Sequence, residues 1–357
     1  MEFREAFLEQ IKNHPAMEAQ DAVKLCYQAA FGAEHLLRDQ EAAYRYLEQE
    51  YEALEADSGF LYEQIHPCVC RVNLAAWKRE QLPLEWLFRM FAETAAHPPE
   101  NGQQAFQDCL DTVEQLTREQ ADTGLAGKVA IPFTEGQWRD FLSGYPLHHP
   151  RAVHHSENYR NRERPAYRLV CSRFIRLFPI LQAIARMPRG MRIVALDGRA
   201  ASGKTTLAGQ LAKITGAGVV HMDDFFLPPG LRTGGRLAEP GGNVHYERFM
   251  EEVLNPLRSA QAFRYRCFDC GSMELGEDRE VPEGDLRIVE GAYSCHPLFG
   301  EYMGLRVFCD VGQMEQLRRI EQRNGAEMLE RFRSSWIPME EQYFRHFRIR
   351  ERAGVLA

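Results

Sequence analysis

No stretch of the chain reaches the roughly 18 uninterrupted apolar residues that a membrane span needs. The most apolar run, RLVCSRFIRLFPILQAIARM, is broken by arginines. The first residues, MEFREAFLEQ, lack the apolar core of a secretory signal. Positive charge is not in excess: 43 Lys and Arg against 51 Asp and Glu give a net charge of −8. That balance speaks against a general nucleic-acid binder, which presents a basic surface. Cysteine is present but unframed, nine residues scattered without the spacing of a disulfide scaffold. Internal repeats and low-complexity tracts are missing too. These absences lead to the expectation of a reduced, cytoplasmic protein with neither nucleic acid nor membrane as partner; the oligomeric state stays open. What is present, 357 residues with 45% apolar and 26% charged side chains, suffices for one large domain or two ordinary ones.

The two halves differ in period. Up to residue 187, segments such as FREAFLEQIKNH, DAVKLCYQAAFGAEHLL and EAAYRYLEQEYEAL carry apolar residues three and four apart, which predicts helices. Thr134 and Gln137 suit a capping box ahead of QWRDFL. Gly59, Gly124, Gly127 and the pair Pro98 and Pro99 fall between such segments. From Met191 the pattern becomes short β-rich runs (MRIVALDG, GVVHMDD, LRIVEG, LRVFCDVG) alternating with helical ones (KTTLAGQLAKITG, YERFMEEVLNPLRSA) and ending in an Arg-rich helical tail. This alternation predicts a parallel sheet covered by helices on both faces. The expected organisation is an all-α domain over 1–187 and an α/β P-loop domain over 188–357, divided near Met187–Gly190.

Residues 198–205, GRAASGKT, match G-x-x-x-x-G-K-[ST] at every fixed position, between a predicted strand and a predicted helix. A loop that wraps a triphosphate must turn its backbone N–H groups inward, which Gly198 and Gly203 permit. The cradle would run through Ala200, Ala201, Ser202, Gly203, Lys204, Thr205 and Thr206, with the helix N-terminus behind it. Lys204 would neutralise the β- and γ-phosphates, and Thr205 would offer a hydroxyl to Mg²⁺. The loop predicts binding of ATP or GTP. A guanine-selective N-K-x-D is lacking, and the later strand ends in Glu290 rather than Asp, which turns the reading from GTPases and ABC-type ATPases towards a compact phosphotransferase.

DGRAASGKTT, HMDDFFLPP, RYRCFDC, RIVEGAYS and LRRIEQRNG stand in the order and spacing of a known family. Over residues 189–350 the chain resembles the uridine kinase-like branch of P-loop kinases, which includes uridine and cytidine, nicotinamide riboside, pantothenate and phosphoribulose kinases. The resemblance implies ATP and Mg²⁺ as cofactors and a small hydroxyl-bearing acceptor, a nucleoside such as uridine first. It implies that Asp223 is the base that accepts the acceptor's proton, with Asp224 in support, and that Glu290 is the metal-side acid, acting through a magnesium-bound water. Asp269 resembles the family's substrate motif. Phe225 and Tyr246 either stack on a base or belong to the core. Arg319 and Arg323, with Arg318 beside them, resemble lid arginines that close over the transferring phosphate; a solvated helix face is the alternative. His245 departs from the acidic residue often found at its position. Other acceptors remain open (pantothenate, a sugar phosphate, another riboside), as do a nucleotide-binding regulatory module and a bifunctional protein.

Three polar groupings are given no role by that resemblance. Cys267-x-x-Cys270 lacks the second ligand pair of a structural zinc site. Residues 148–168, HHPRAVHHSENYRNRERPAYR, form either an interdomain strap or an anion or metal site with His154, His155 and Glu157 as ligands. Glu34 with His35, and Arg71 with Asn73, suit either buried hydrogen-bonded groups or part of that same second site.

Overall fold

The computed structural model describes residues 2–33, 39–56, 59–123, 129–269 and 271–357. Glu34, His35, Gly124, Gly127 and Cys270 lie outside the described residues. The chain forms two compact units, Met1–Ile175 and Arg176–Ala357. Among the described residues no helix is long and apolar enough to cross a membrane.

The first unit is mainly helical, built on Phe3–Asn13, Ala19–Phe31, Gln40–Ala53, Leu84–Ala96, Gly102–Thr123 and Glu135–Ser143. The apolar stripes of all but Gln40–Ala53 meet in one core that contains Phe7, Val23, Leu25, Phe106, Leu110 and Trp138. The capping box forms: Gln137 N donates to Thr134 Oγ1 at 3.2 Å, and Thr134 N donates to Gln137 Oε1 at 2.8 Å. The unit is not wholly α, because it adds an antiparallel sheet of β1 (Tyr62–His66), β2 (Val69–Asn73) and β3 (Tyr167–Cys171) in the order β1-β2-β3. Each strand is five residues long. The β2–β3 register, Cys70 beside Val170, spans about a hundred residues of chain, so local periodicity does not reveal it.

The second unit has the α/β phosphate-loop architecture. Its strands are β4 (Arg192–Gly198), β5 (Gly218–His221), β6 (Phe263–Asp269), β7 (Glu274–Val281), β8 (Leu286–Glu290), β9 (Leu305–Cys309) and β10 (Val355–Leu356). Five of them make a parallel sheet in the order β10-β9-β4-β8-β5, and β6 with β7 makes a separate antiparallel hairpin. β8 is buried at every position, as a strand between two covered faces must be. Helix Lys204–Thr215 packs on β4, β5 and β8, and helix Phe178–Ala185 on β9 and β10. The helix predicted over 246–260 is a broken run instead: one α-turn (Tyr246–Phe249), a π-helical turn (Met250–Leu254) and a 3₁₀ turn (Pro256–Arg258). Pro256, with no N–H to donate, stops a regular ladder there.

Candidate active site

Register decides which side chains meet. β4 pairs with both β8 and β9, placing Leu196 beside Glu290 and Gly198 beside Cys309, while β5 places His221 beside Glu290. The phosphate loop, Glu290 and the turn carrying Asp223 therefore all open at the carboxyl edge of the sheet, where ligands bind in open α/β folds.

The loop is wound tightly, with positive φ at Gly198 (136°), Ala201 (57°) and Gly203 (94°). Lys204 Nζ donates to the carbonyls of Gly198 and Arg199, both at 2.9 Å, so the cation is held on its own loop. Ser202 Oγ is buried there without a hydrogen-bond partner, and Thr205 and Thr206 at the start of the helix are exposed. Anchorage comes from Asp197, which is fully buried and accepts from Gly198 N (2.7 Å), Tyr293 N (3.1 Å), Cys295 N (2.9 Å) and the Tyr343 hydroxyl (2.8 Å). Burial raises the Asp197 pKa against the pull of those donors.

Thr205 Oγ1 lies 3.1 Å from Glu290 Oε1, and His221 Nδ1 lies 2.5 Å from the same oxygen. Glu290 is only 3% exposed. A hydroxyl beside a carboxylate is the hard-oxygen donor set that magnesium takes together with water and phosphate, so these side chains fit the ion. The loop, with its inward turns, its lysine and a hydroxyl lacking a partner, fits a polyphosphate.

Asp223 sits in the one-turn helix Met222–Phe225 and is exposed to solvent. The protein packed around it, and then the Glu290 carboxylate, push its pKa above the ordinary aspartate value. Asp224 is turned away from solvent: Tyr265 donates to its Oδ2 at 2.9 Å, Arg279 stands 3.4 Å from the same atom, and the Arg248 guanidinium donates to its backbone carbonyl. The two adjacent acids thus have separate environments, one free and one held.

The other expected residues divide. Arg319 Nη1 donates to the Ala201 carbonyl at 3.1 Å and so reaches the loop, while Arg323 is exposed and bonds to Asn324. Arg318 is occupied by Glu315 and Gln322. Phe225 is fully buried, edge-on to Phe249, and Tyr246 is 7% exposed beneath the Arg236 guanidinium. Neither ring offers an open face to a base. Asp269 is exposed at the β6–β7 turn, where it accepts from Gly271 N and Ser272 Oγ. His245 caps the turn Tyr246–Phe249 by accepting from Arg248 N at 3.3 Å.

Four residues here escape sequence reasoning. Asp197 and His221 lie inside quoted motifs without a role attached. Gln316 Nε2 donates to the Ala200 carbonyl at 3.1 Å, and Glu340 Oε2 accepts from Ala200 N at 2.9 Å. Contacts 116 and 140 residues apart leave no local signal.

In the first unit, His155 Nδ1 lies 2.7 Å from Asp21 Oδ1 and its Nε2 lies 2.7 Å from the Tyr167 hydroxyl. Asp21 also accepts from Ser156 N and Oγ. Arg71, 3% exposed, donates to Gln10 and Gln28, and Asn73 caps the helix Leu74–Arg79. No group of three or more metal-ligating side chains forms among the described residues, so the grouping of His154, His155 and Glu157 is not assembled. Burial lowers the His155 pKa from 6.5 to about 4. Since the folded pKa lies below the unfolded one, its contribution to stability is lost as pH falls from about 6.5 to about 4, up to about 3 kcal/mol. The stability gap between the wild type and His155→Gln is accordingly expected to narrow between about pH 7.5 and pH 5. Thermal unfolding of both at each pH checks this, and an unchanged gap would contradict it.

No protein-family model matches the chain, and neither does any curated protein. Among solved structures it is similar to a possible uridine kinase from Bacillus stearothermophilus, at 20% identity and a TM-score of 0.40, over 50% of this chain and 95% of that one. It is also similar to a kinase ascribed to fructose transport from Silicibacter sp. TM1040, at 21% identity and a TM-score of 0.42, over 51% of this chain and 97% of that one. A third likeness is to the D-glycerate 3-kinase of Cryptococcus neoformans var. grubii, at 16% identity and a TM-score of 0.33, over 46% and 85%.

Proposed function

We propose that the second unit is an ATP- and Mg²⁺-dependent phosphotransferase of the uridine kinase-like kind, acting on a hydroxyl of a small metabolite. One juxtaposition supports this reading: a complete phosphate loop, the Thr205–Glu290 pair at 3.1 Å and a solvent-open Asp223 share one edge of the sheet. Lys204 leaves its two carbonyls to meet the β- and γ-phosphates, while the loop amides and the helix N-terminus hold the rest of the chain of phosphates. Thr205 and Glu290 would hold magnesium, which when bound would offset charge on the phosphate oxygens. Asp223 orients the acceptor hydroxyl in line with the γ-phosphorus. As the new O–P bond forms and the bond to the departing nucleoside diphosphate breaks, Asp223 takes the hydroxyl proton, late in a loose transition state. Arg319, which reaches the loop at the Ala201 carbonyl, stabilises charge on the transferring group.

A nucleoside such as uridine is the first acceptor to try, followed by pantothenate, other ribosides, sugar phosphates and hydroxy acids. ADP release from Mg·ATP, measured over this panel, tests the reading. At least one acceptor is expected to raise turnover well above the rate with water alone. A flat response across the panel would favour a nucleotide-binding regulatory role.

A further inference from the structure

A carboxylate already occupies the phosphate loop. Glu340, on the helix Ile337–Phe347, accepts the Ala200 N–H at 2.9 Å and is 8% exposed. Its position is fixed from both sides. Tyr343, three residues further along the same helix, donates to Asp197 at 2.8 Å, and Gln316 holds the Ala200 carbonyl at 3.1 Å. The nearest arginine of the loop does not neutralise it, because Arg199 points outward to Glu341 (2.7 Å) and Asp310 (2.8 Å). Among the described residues no basic side chain forms an ion pair with Glu340.

Every neighbouring element contributes to its electrostatics. Lys204 of the loop favours the charged form; burial, Asp197 at the end of β4 and Asp223 beyond β5 disfavour it, and Tyr293 faces it from the segment after β8. The sum raises the Glu340 pKa from 4.5 to about 7. A nucleotide adds several negative charges to the same loop and draws Lys204 towards them. Each such charge raises the affinity of a nearby buried carboxylate for a proton by about tenfold or more.

We propose that Glu340 is a proton-accepting positioning residue of the nucleotide site: ionised, it holds the Ala200 N–H of the free loop, and it takes up a proton when a nucleotide's phosphates arrive. This rests on the reading of the loop as a nucleotide site. The sign follows from the geometry. At low pH Glu340 already carries its proton and binding takes up none. As pH rises past neutrality the proton must come from solvent, so nucleotide affinity falls, by up to about tenfold per pH unit.

The test is calorimetric titration of the full chain with Mg·ADP at about pH 8, in two buffers of low and high ionisation enthalpy. The wild type is expected to take up roughly half a proton or more per nucleotide bound. Glu340→Gln keeps an oxygen for the Ala200 N–H but cannot titrate; it is expected to take up none and to bind about tenfold more tightly than the wild type at this pH. Uptake that is nil in the wild type, or equal in the variant, overturns the inference while leaving the nucleotide site standing. Absence of nucleotide binding by the wild type overturns both. Should the variant not fold, the wild type decides alone: uptake must rise from about pH 6 to about pH 8, and a flat profile overturns the inference.

Discussion

Asp223→Asn is expected to lower acceptor-dependent turnover by about 10²–10⁴-fold while nucleotide affinity stays within about threefold. The substitution keeps the size and much of the shape of the side chain but removes a property the proposed role requires, the capacity to accept a proton. An amide N–H₂ also points a donor at an oxygen that must itself donate. Nucleotide binding has no such dependence, because Asp223 lies outside the loop and makes no bond to Lys204, Thr205 or Glu290. Removing its charge beside Glu290 should, if anything, ease the approach of phosphates. The pH dependence follows from the same requirement. Crowding and Glu290 raise the Asp223 pKa, and the base must be ionised, so turnover falls on the acid side with an apparent pKa above that of an ordinary aspartate. A nucleotide titration run beside the turnover assay checks the division. Loss of nucleotide binding in Asp223→Asn would make the residue structural.

Gly198→Ala is expected to abolish nucleotide binding and to destabilise the second unit by about 3–5 kcal/mol, the sum of overpacking and backbone strain. A Cβ at this position would stand 2.1 Å from the Cys309 carbonyl oxygen and 2.8 Å from the Cys309 carbonyl carbon and nitrogen. All three are backbone atoms and cannot swing aside. Relief by sliding β4 along β9 is blocked, because Gly198 pairs with Cys309 and Arg199 N donates to the same carbonyl at 3.2 Å. The backbone φ of 136° adds strain for any residue with a side chain. Gly203 is the internal control. It too has a positive φ, 94°, but nothing lies within 4 Å of its Cβ position. Gly203→Ala should therefore cost only the conformational part, about 1–2 kcal/mol. Denaturant unfolding of both variants separates the two causes: comparable losses would mean that the contact with Cys309 does not constrain the loop.

Which of these features can be read from sequence follows from how far apart the interacting residues lie. A phosphate loop is a local requirement, met by eight consecutive residues between a strand and a helix, and GRAASGKT states it in full. Asp223 and Glu290 are nearly as legible, because each closes a short apolar strand and parallel strands open at one edge. Their partners are not. Glu340 reaches Ala200 across 140 positions from an amphipathic helix whose pattern reports only its buried face. His155 reaches Asp21 across 134. The sheet of the first unit is hidden for a related reason: YEQIH, VCRVN and YRLVC are too short, and too mixed in polarity, to signal strands before β2 and β3 meet. The aromatic residues mislead in the opposite direction. Phe225 and Tyr246 stand beside catalytic-looking residues in the chain, yet the interior takes both rings, because large apolar surface is worth more buried than exposed. The basic run LRRIEQRNG resolves into one arginine on the loop and two off it, a distinction that a spacing of four residues does not make.

The most direct test of the account is the fate of the γ-phosphoryl group. With ATP labelled at the γ-phosphate, Mg²⁺ and an acceptor that raises ADP release, the wild type should place the label on the acceptor through an alkali-stable phosphoester, and Asp223→Asn should not. Label found only in inorganic phosphate, whatever the acceptor, would contradict the assignment of this unit as a kinase.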